Sequence, residues 1–109
     1  MATVLLDGIL RGLLALKLME FEWDIEKDKI NQKKHQISFE EAAEIFRYPT
    51  YEVTDDRVDY GETRYIAIGN NNQMITITVV YTEREGKIRL ISARRANKQE
   101  VKLYYDYCT

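Results

Sequence analysis

From residue 20 onward the apolar positions first alternate, then take a helical spacing, and after Pro49 alternate again. Phe21 and Trp23 alternate with Glu22 and Asp24, which predicts a short half-buried strand. Asp24 then suits the N-cap of a helix ending near His35, with Glu26 and Asp28 early and Lys33 and Lys34 late, as the helix dipole favours. Ile30 is the one interior apolar residue of that helix, so it is expected on the surface. Ser38-Phe39-Glu40-Glu41 reads as a capping box, with Ser38 as N-cap and Glu41 as its reciprocal partner. Phe39, Ala42, Ala43 and Phe46 follow as an apolar stripe, and Pro49 ends the helix because it has no N–H to donate.

Beyond Pro49 the pattern predicts strands at 51–54, 63–69, 74–83 and 87–93. A charged turn containing Gly61, a polar turn over 70–73 and the Arg84-Glu85-Gly86 turn link them as hairpins. Ile66, Ile68, Ile75, Ile77, Val79, Ile88 and Leu90 supply strand bulk, while Thr76 and Thr78 on the alternate face imply one side packed on helices and one more open. A last helix follows the fourth of these strands. The expected fold is α+β: a small antiparallel sheet, four strands in a meander plus the short N-terminal strand, with about three helices.

Residues 1–18 are aliphatic, and Leu6, Ile9, Leu10, Leu13 and Leu14 share one helical face. Asp7 and Arg11 interrupt the run, which is too short for a bilayer and lacks the charged start and cleavage site of a secretory signal. The expectation is an N-terminal extension, either helical or upstream of a natural start at Met19, before a single domain over 19–109.

A chain of 109 residues with 45% apolar content supports one core and no second domain. The net charge of −2 conceals an asymmetry: 14 acidic against 8 basic residues through Glu62, and 4 against 8 from Thr63 onward. A folded protein presents a face, not an average, so an acidic total does not exclude an anionic ligand. The single cysteine, Cys108, permits no internal disulfide, which fits a reducing, cytoplasmic setting. Dinucleotide-binding, Walker and nucleophile-elbow motifs are absent, and one histidine offers no pair for a metal. Asp55, Asp56, Asp59 and Glu62 are interleaved with Arg57 and Arg64 at irregular spacing, the pattern of a solvated turn with local ion pairs; no metal and no cofactor is expected.

The basic half holds the stretch best equipped for chemistry. The strand ending in Arg94 and Arg95 leads into a helix with Lys98, Lys102, Tyr104 and Tyr105. Guanidinium forks match phosphate oxygens and tyrosine rings can stack a base, although two arginines at a strand end equally suit a solvated rim paired with carboxylates. His35, at a helix C-terminus, suits a cation or proton donor; a cap on helix carbonyls is the competing reading. Arginines, lysine, one histidine and tyrosines suffice for metal-free transesterification of RNA.

Three ordered blocks, FEWDIEKDKINQKKHQISFEEAAEIF, DDRVDYGETRYIAIG and VVYTEREGKIRLISARRANKQEVKLYY, closely resemble the BrnT toxins of bacterial BrnT/BrnA toxin–antitoxin systems. The resemblance implies a RelE-like fold, a ribonuclease that arrests translation, and neutralisation by a BrnA antitoxin whose ribbon-helix-helix domain carries the complex to operator DNA. It marks His35, Glu62, Arg64, Tyr65, Arg94 and Arg95. On this reading Arg64, Arg94 and Arg95 hold phosphate charge, His35 or Glu62 moves a proton, and Lys98, Lys102, Tyr65, Tyr104 and Tyr105 contact RNA. Family members usually carry glycine where this chain has Gln36, so a left-handed backbone there would cost on the order of 1 kcal/mol. The rival expectation is a non-catalytic interaction module that acts on DNA through its partner.

Overall fold

The computed structural model describes residues 19–108; the expected N-terminal extension lies outside them. Strand β1 (Phe21–Glu22) leads to helix α1 (Ile25–His35), where the Asp24 carboxylate accepts the Lys27 N–H at 3.0 Å. Gln36 closes α1 in the left-handed region (φ 58°, ψ 30°), its N–H donating to Gln32 O and its amide to Lys33 O. The position where the resemblance implies glycine carries a positive φ. Ile25 and Ile30 of α1 are exposed, and its one buried residue is polar, Asn31.

Helix α2 (Phe39–Ala43) is capped by Ser38 Oγ, which accepts the Glu41 N–H at 3.0 Å. The reciprocal half of the capping box is not formed: the Glu41 carboxylate turns to Asn71 Nδ2 at 3.5 Å, and Asp28 of α1 accepts the Phe39 N–H at 2.9 Å. Before Pro49 the chain tightens into a 3-10 turn (Glu44–Arg47). Strands β2 (Tyr51–Asp55), β3 (Arg64–Asn70), β4 (Thr76–Arg84) and β5 (Lys87–Arg95) follow, and helix α3 (Lys98–Cys108) ends the fold.

The sheet has the order β1-β5-β4-β3-β2. The meander is antiparallel throughout, whereas β1 joins β5 in parallel, through Phe21↔Ile88 and Glu22↔Arg89. The predicted α+β architecture is therefore what forms, with a parallel edge making the sheet mixed. On one face Ala67, Ile77, Val79, Leu90 and Ala93 pack against Ile37, Phe39, Ala42 and Ile45 from the helical layer, all nearly or fully buried. Tyr65 and Tyr81 stack at 5.2 Å at the end of this core, and Phe46 meets Tyr81 edge-on at 5.3 Å. Helix α3 lies over the other face on the β2–β3 side, burying Tyr104 and bringing Tyr107 within 5.0 Å of Tyr51.

Two local features aim the remaining face. In β5 the register skips one residue: Tyr81 pairs with Leu90 and Val80 with Ser92, so Ile91 is the extra residue of a bulge. Side chains alternate along a strand, so with Leu90 in the core an unbroken β5 would send Ser92 and Arg94 to the helical layer. The bulge resets the phase. Ala93 enters the core, and Ser92 and Arg94 turn to the other face. Meanwhile β1 covers only the start of the β5 edge, and α1 covers the rest through Asn31. Its Nδ2 donates to Ala93 O at 2.8 Å and Ile37 O at 3.0 Å, and its Oδ1 accepts the Ala93 N–H at 3.1 Å.

Candidate active site

With α1 clamped to Ala93, its last residues reach past the sheet edge to a cavity of about 440 Å³ on the face that α3 leaves partly uncovered. Ile66, Thr78, Val80 and Ser92 from β3, β4 and β5 form the floor. Lys34 and His35 from α1, Arg57 from the β2–β3 connection, Arg94 from β5 and Glu100 from α3 form the rim. A floor of short or branched side chains ringed by four basic groups and one carboxylate suits a compact anion joined to a less polar body.

Each rim group is held differently. Arg94 donates to both oxygens of Glu100, at 2.7 and 2.9 Å, a fork that raises the guanidinium pKa further. Arg57 donates from Nε and Nη2 to the two Asp55 oxygens at 2.7 and 2.8 Å, and Tyr60 O–H and the Arg57 backbone N–H add bonds to that carboxylate at 3.2 and 3.4 Å. The Asp55 side chain is 1% exposed, and its hydrogen bonds from Arg57, opposed by burial, hold its pKa at about 2. Arg57 is in turn mostly exposed, so its second edge is free to face the cavity. No described residue hydrogen-bonds the His35 imidazole, and it is Gln36 that donates to the Gln32 and Lys33 carbonyls at the end of α1, which removes the capping reading. Thr78 Oγ1 is fully buried in the floor of the cavity that Glu100 rims, and it has no hydrogen-bond partner among the described residues.

The sequence-predicted residues divide accordingly. His35 and Arg94 meet at the cavity. Arg64 and Glu62 do not line it. Glu62 accepts from Arg64 and Arg84, both at 3.2 Å, and these two guanidinium groups hold its pKa below the ordinary value. Arg64 also lies 4.0 Å over the Tyr60 ring. Arg64 pairs with Thr82 and Arg94 with Thr78, on one face, four residues and two strands apart, a Cα separation of roughly 16 Å at standard strand spacing. Arg64 connects to the cavity indirectly, through Tyr60, Asp55 and Arg57.

Arg95 is exposed and, next to Arg94 in an extended strand, projects to the opposite face. Lys98 is exposed at the start of α3, and Lys102 pairs with Asp106 at 2.7 Å one turn on. Tyr65 stacks on Tyr81 and Tyr104 is 6% exposed, so both act in packing; Tyr105 is 40% exposed and its hydroxyl accepts from Asn70 Nδ2 at 3.2 Å. Arg57, Thr78 and Glu100 carry no sequence signal as site residues, and Lys34 reads only as one of several lysines on an exposed helix. Arg57 sits in the charged turn that the sequence reads as solvated, and nothing in the sequence sets Glu100 apart from an ordinary first-turn helix acid. Among the described residues no three His, Cys, Asp or Glu side chains are grouped so as to hold a metal ion, and no helix is long and apolar enough to cross a membrane.

Residues 23–100 match the family model described as the ribonuclease toxin BrnT of type II toxin–antitoxin systems. The chain belongs to the BrnT family. The crystal structure of the Brucella abortus ribonuclease toxin BrnT is similar to it in fold, with 25% sequence identity over 73% of this chain and 99% of that one, at a TM-score of 0.55. No curated protein matches the chain. BrnT-family membership makes this a ribonuclease toxin with RNA as target and an antitoxin as partner. The family match spans α1, the Asp55–Tyr60 turn, the bulged β5 and Glu100, so all the rim groups of the cavity fall inside it.

Proposed function

We propose that this BrnT-family chain is a metal-independent endoribonuclease that cuts RNA at the cavity by attack of a 2′-OH on the adjacent phosphodiester, and that this cleavage arrests translation in the cytoplasm. The observation that carries the reading is the convergence of Arg94, Arg57, Lys34 and the His35 imidazole, which no described residue hydrogen-bonds, on one side of an open sheet face. In such a reaction the protein must hold the phosphate, neutralise charge growing on its oxygens, and supply a proton to the leaving 5′-oxygen. Arg57 and Arg94 are suited to the first two tasks, since a guanidinium retains donors after pairing one carboxylate. His35 is suited to the third. Arg64 and Glu62 are given a positioning role, keeping Tyr60 and thereby Asp55 and Arg57 in place.

The antitoxin in this proposal is BrnA-like, with a ribbon-helix-helix domain that brings the complex to operator DNA, and residues 1–18 are an extension to the domain that cuts RNA. The test is cleavage of an oligoribonucleotide by purified chain in EDTA. Wild type is expected to cut, Arg94→Ala to lose about 10²-fold in kcat, and Arg64→Ala to lose less. Loss of cutting with chelator, or full activity in Arg94→Ala, overturns the assignment. A non-catalytic module would instead bind its partner and leave RNA intact.

A further inference from the structure

Resting on the ribonuclease reading, we propose that Glu100 is the general base that takes the proton from the attacking 2′-OH, and that Thr78 O–H orients that hydroxyl. Glu100 is the only carboxylate on the cavity rim among the described residues. Glu62, the other acidic candidate, lies outside the lining with both oxygens occupied by guanidinium groups.

The geometry around Glu100 is built in detail. Asn97 N–H donates to Oε1 at 2.9 Å while Glu100 N–H donates to Asn97 Oδ1 at 2.8 Å, a reciprocal cap that fixes the start of α3. Arg94 takes one lone pair from each oxygen. Oε1 is therefore used twice and Oε2 once, and a carboxylate has about four lone-pair sites, so Oε2 keeps one. The buried Thr78 hydroxyl, in the lining of the same cavity, has no hydrogen-bond partner among the described residues. A ribose 2′-OH is both donor and acceptor. Seated here it donates to Oε2 and accepts from Thr78, and a deoxyribose leaves both groups unsatisfied. The site thereby discriminates RNA from DNA at the atom that reacts.

The charged and titratable groups facing Glu100 are Arg94 from β5, Arg57 from the β2–β3 connection, and Lys34 and His35 from α1. Burial pushes the Glu100 carboxyl up, but the Arg94 guanidinium and the Asn97 N–H more than offset it and hold its pKa below the ordinary value, so the carboxylate is ionised and ready to accept. In the step, the 2′-O–H bond breaks with its proton passing to Glu100, and the O2′–P bond forms. The P–O5′ bond then breaks with its electron pair staying on O5′, which takes a proton from the His35 imidazolium. The products are a 2′,3′-cyclic phosphate and a 5′-hydroxyl; Glu100 returns its proton to water and His35 recovers one.

The experiment uses the full chain and a short oligoribonucleotide, with Glu100→Ala, Glu100→Gln and Glu100→Asp. Both Glu100→Ala and Glu100→Gln are expected to lose at least about 10²-fold in kcat with KM changed less, and Glu100→Asp to retain an intermediate rate. Added formate should restore Glu100→Ala activity in proportion to its concentration, where chloride at equal ionic strength does not; a lost helix cap gives no such rescue. A substrate with one 2′-deoxy linkage should be uncut at that linkage alone. Near wild-type cutting by Glu100→Gln or Glu100→Asp, absence of formate rescue in a folded Glu100→Ala, or products ending in 5′-phosphate overturn the proposal. Should Glu100→Ala not fold, the Glu100→Asp rate and the product ends decide. Failure of wild type to cut any RNA overturns the ribonuclease reading itself, whereas rapid cutting by the variants overturns only the role of Glu100.

Discussion

Asp55 shows how one short-range pairing places a side chain at the site and sets an edge to the stability curve. Its carboxylate, held at a pKa of about 2 against an ordinary 3.8 by hydrogen bonds from Arg57, is more acidic folded than unfolded. A depressed carboxylate stabilises the fold above its unfolded pKa, and that stabilisation is lost as pH falls through the folded value. Urea midpoints measured from pH 6 to pH 2 should therefore fall below about pH 4, and Asp55→Asn, less stable at neutral pH, should fall less over that range. Gln36 is the opposite case, a residue whose backbone is at odds with its type. Its φ of 58° suits glycine, so Gln36→Gly should stabilise the chain by up to about 1 kcal/mol, less the Lys33 O bond it gives up, read as a rise in melting temperature.

At the scale of elements, Asn31 and the β5 bulge decide whether His35 and Arg94 meet. Asn31 gives α1 three hydrogen bonds to buried backbone, two of them on the residue preceding Arg94. Asn31→Ala would strand those backbone groups, at a cost of roughly 1–3 kcal/mol per unsatisfied group. It would also let α1 drift from β5. The expected outcome is a lower denaturation midpoint together with a fall in RNA cleavage larger than the loss of folded protein explains, checked by assaying below the unfolding transition. Gly69 serves the other side of the sheet: a Cβ there would lie 3.0 Å from Thr50 Cγ2 and 3.1 Å from Ile45 Cβ, so its absence lets the 3-10 turn approach β3.

For the whole molecule, what matters is the placement of charge on one face. The acidic first half supplies Asp55 as an internal counterion, Lys34 and Arg57 as rim cations and His35 beside them, so both halves contribute to the cavity. Binding of single-stranded RNA should therefore weaken as salt rises, with a log–log slope of about −0.7 per phosphate neutralised. Arg57→Ala should reduce that slope by about 0.7 and weaken binding across sequences alike, measured by titration from 50 to 300 mM salt. A variant with the full slope would show that Arg57 touches no phosphate.

Element identity and order were legible in the pattern alone, because period, caps and turn residues act over a few residues at a time. The shift from helical to alternating spacing at Pro49, the Asp24 and Ser38 caps and the hairpin turns account for α1, α2 and the meander. Which side chains share a cavity was decided only by tertiary contacts. The Ile91 bulge depends on pairing with β4, the place of His35 depends on a buried amide gripping a distant strand, and Arg57 becomes a rim group only when Asp55 folds under it. Arg94 and Arg95 are neighbours in the chain but part to opposite faces, while Arg94 and Glu100 are joined by a hydrogen-bonded fork that their ordinary spacing did not announce. Local propensity is carried by neighbours in the chain; phase and convergence come from contacts between residues far apart in it.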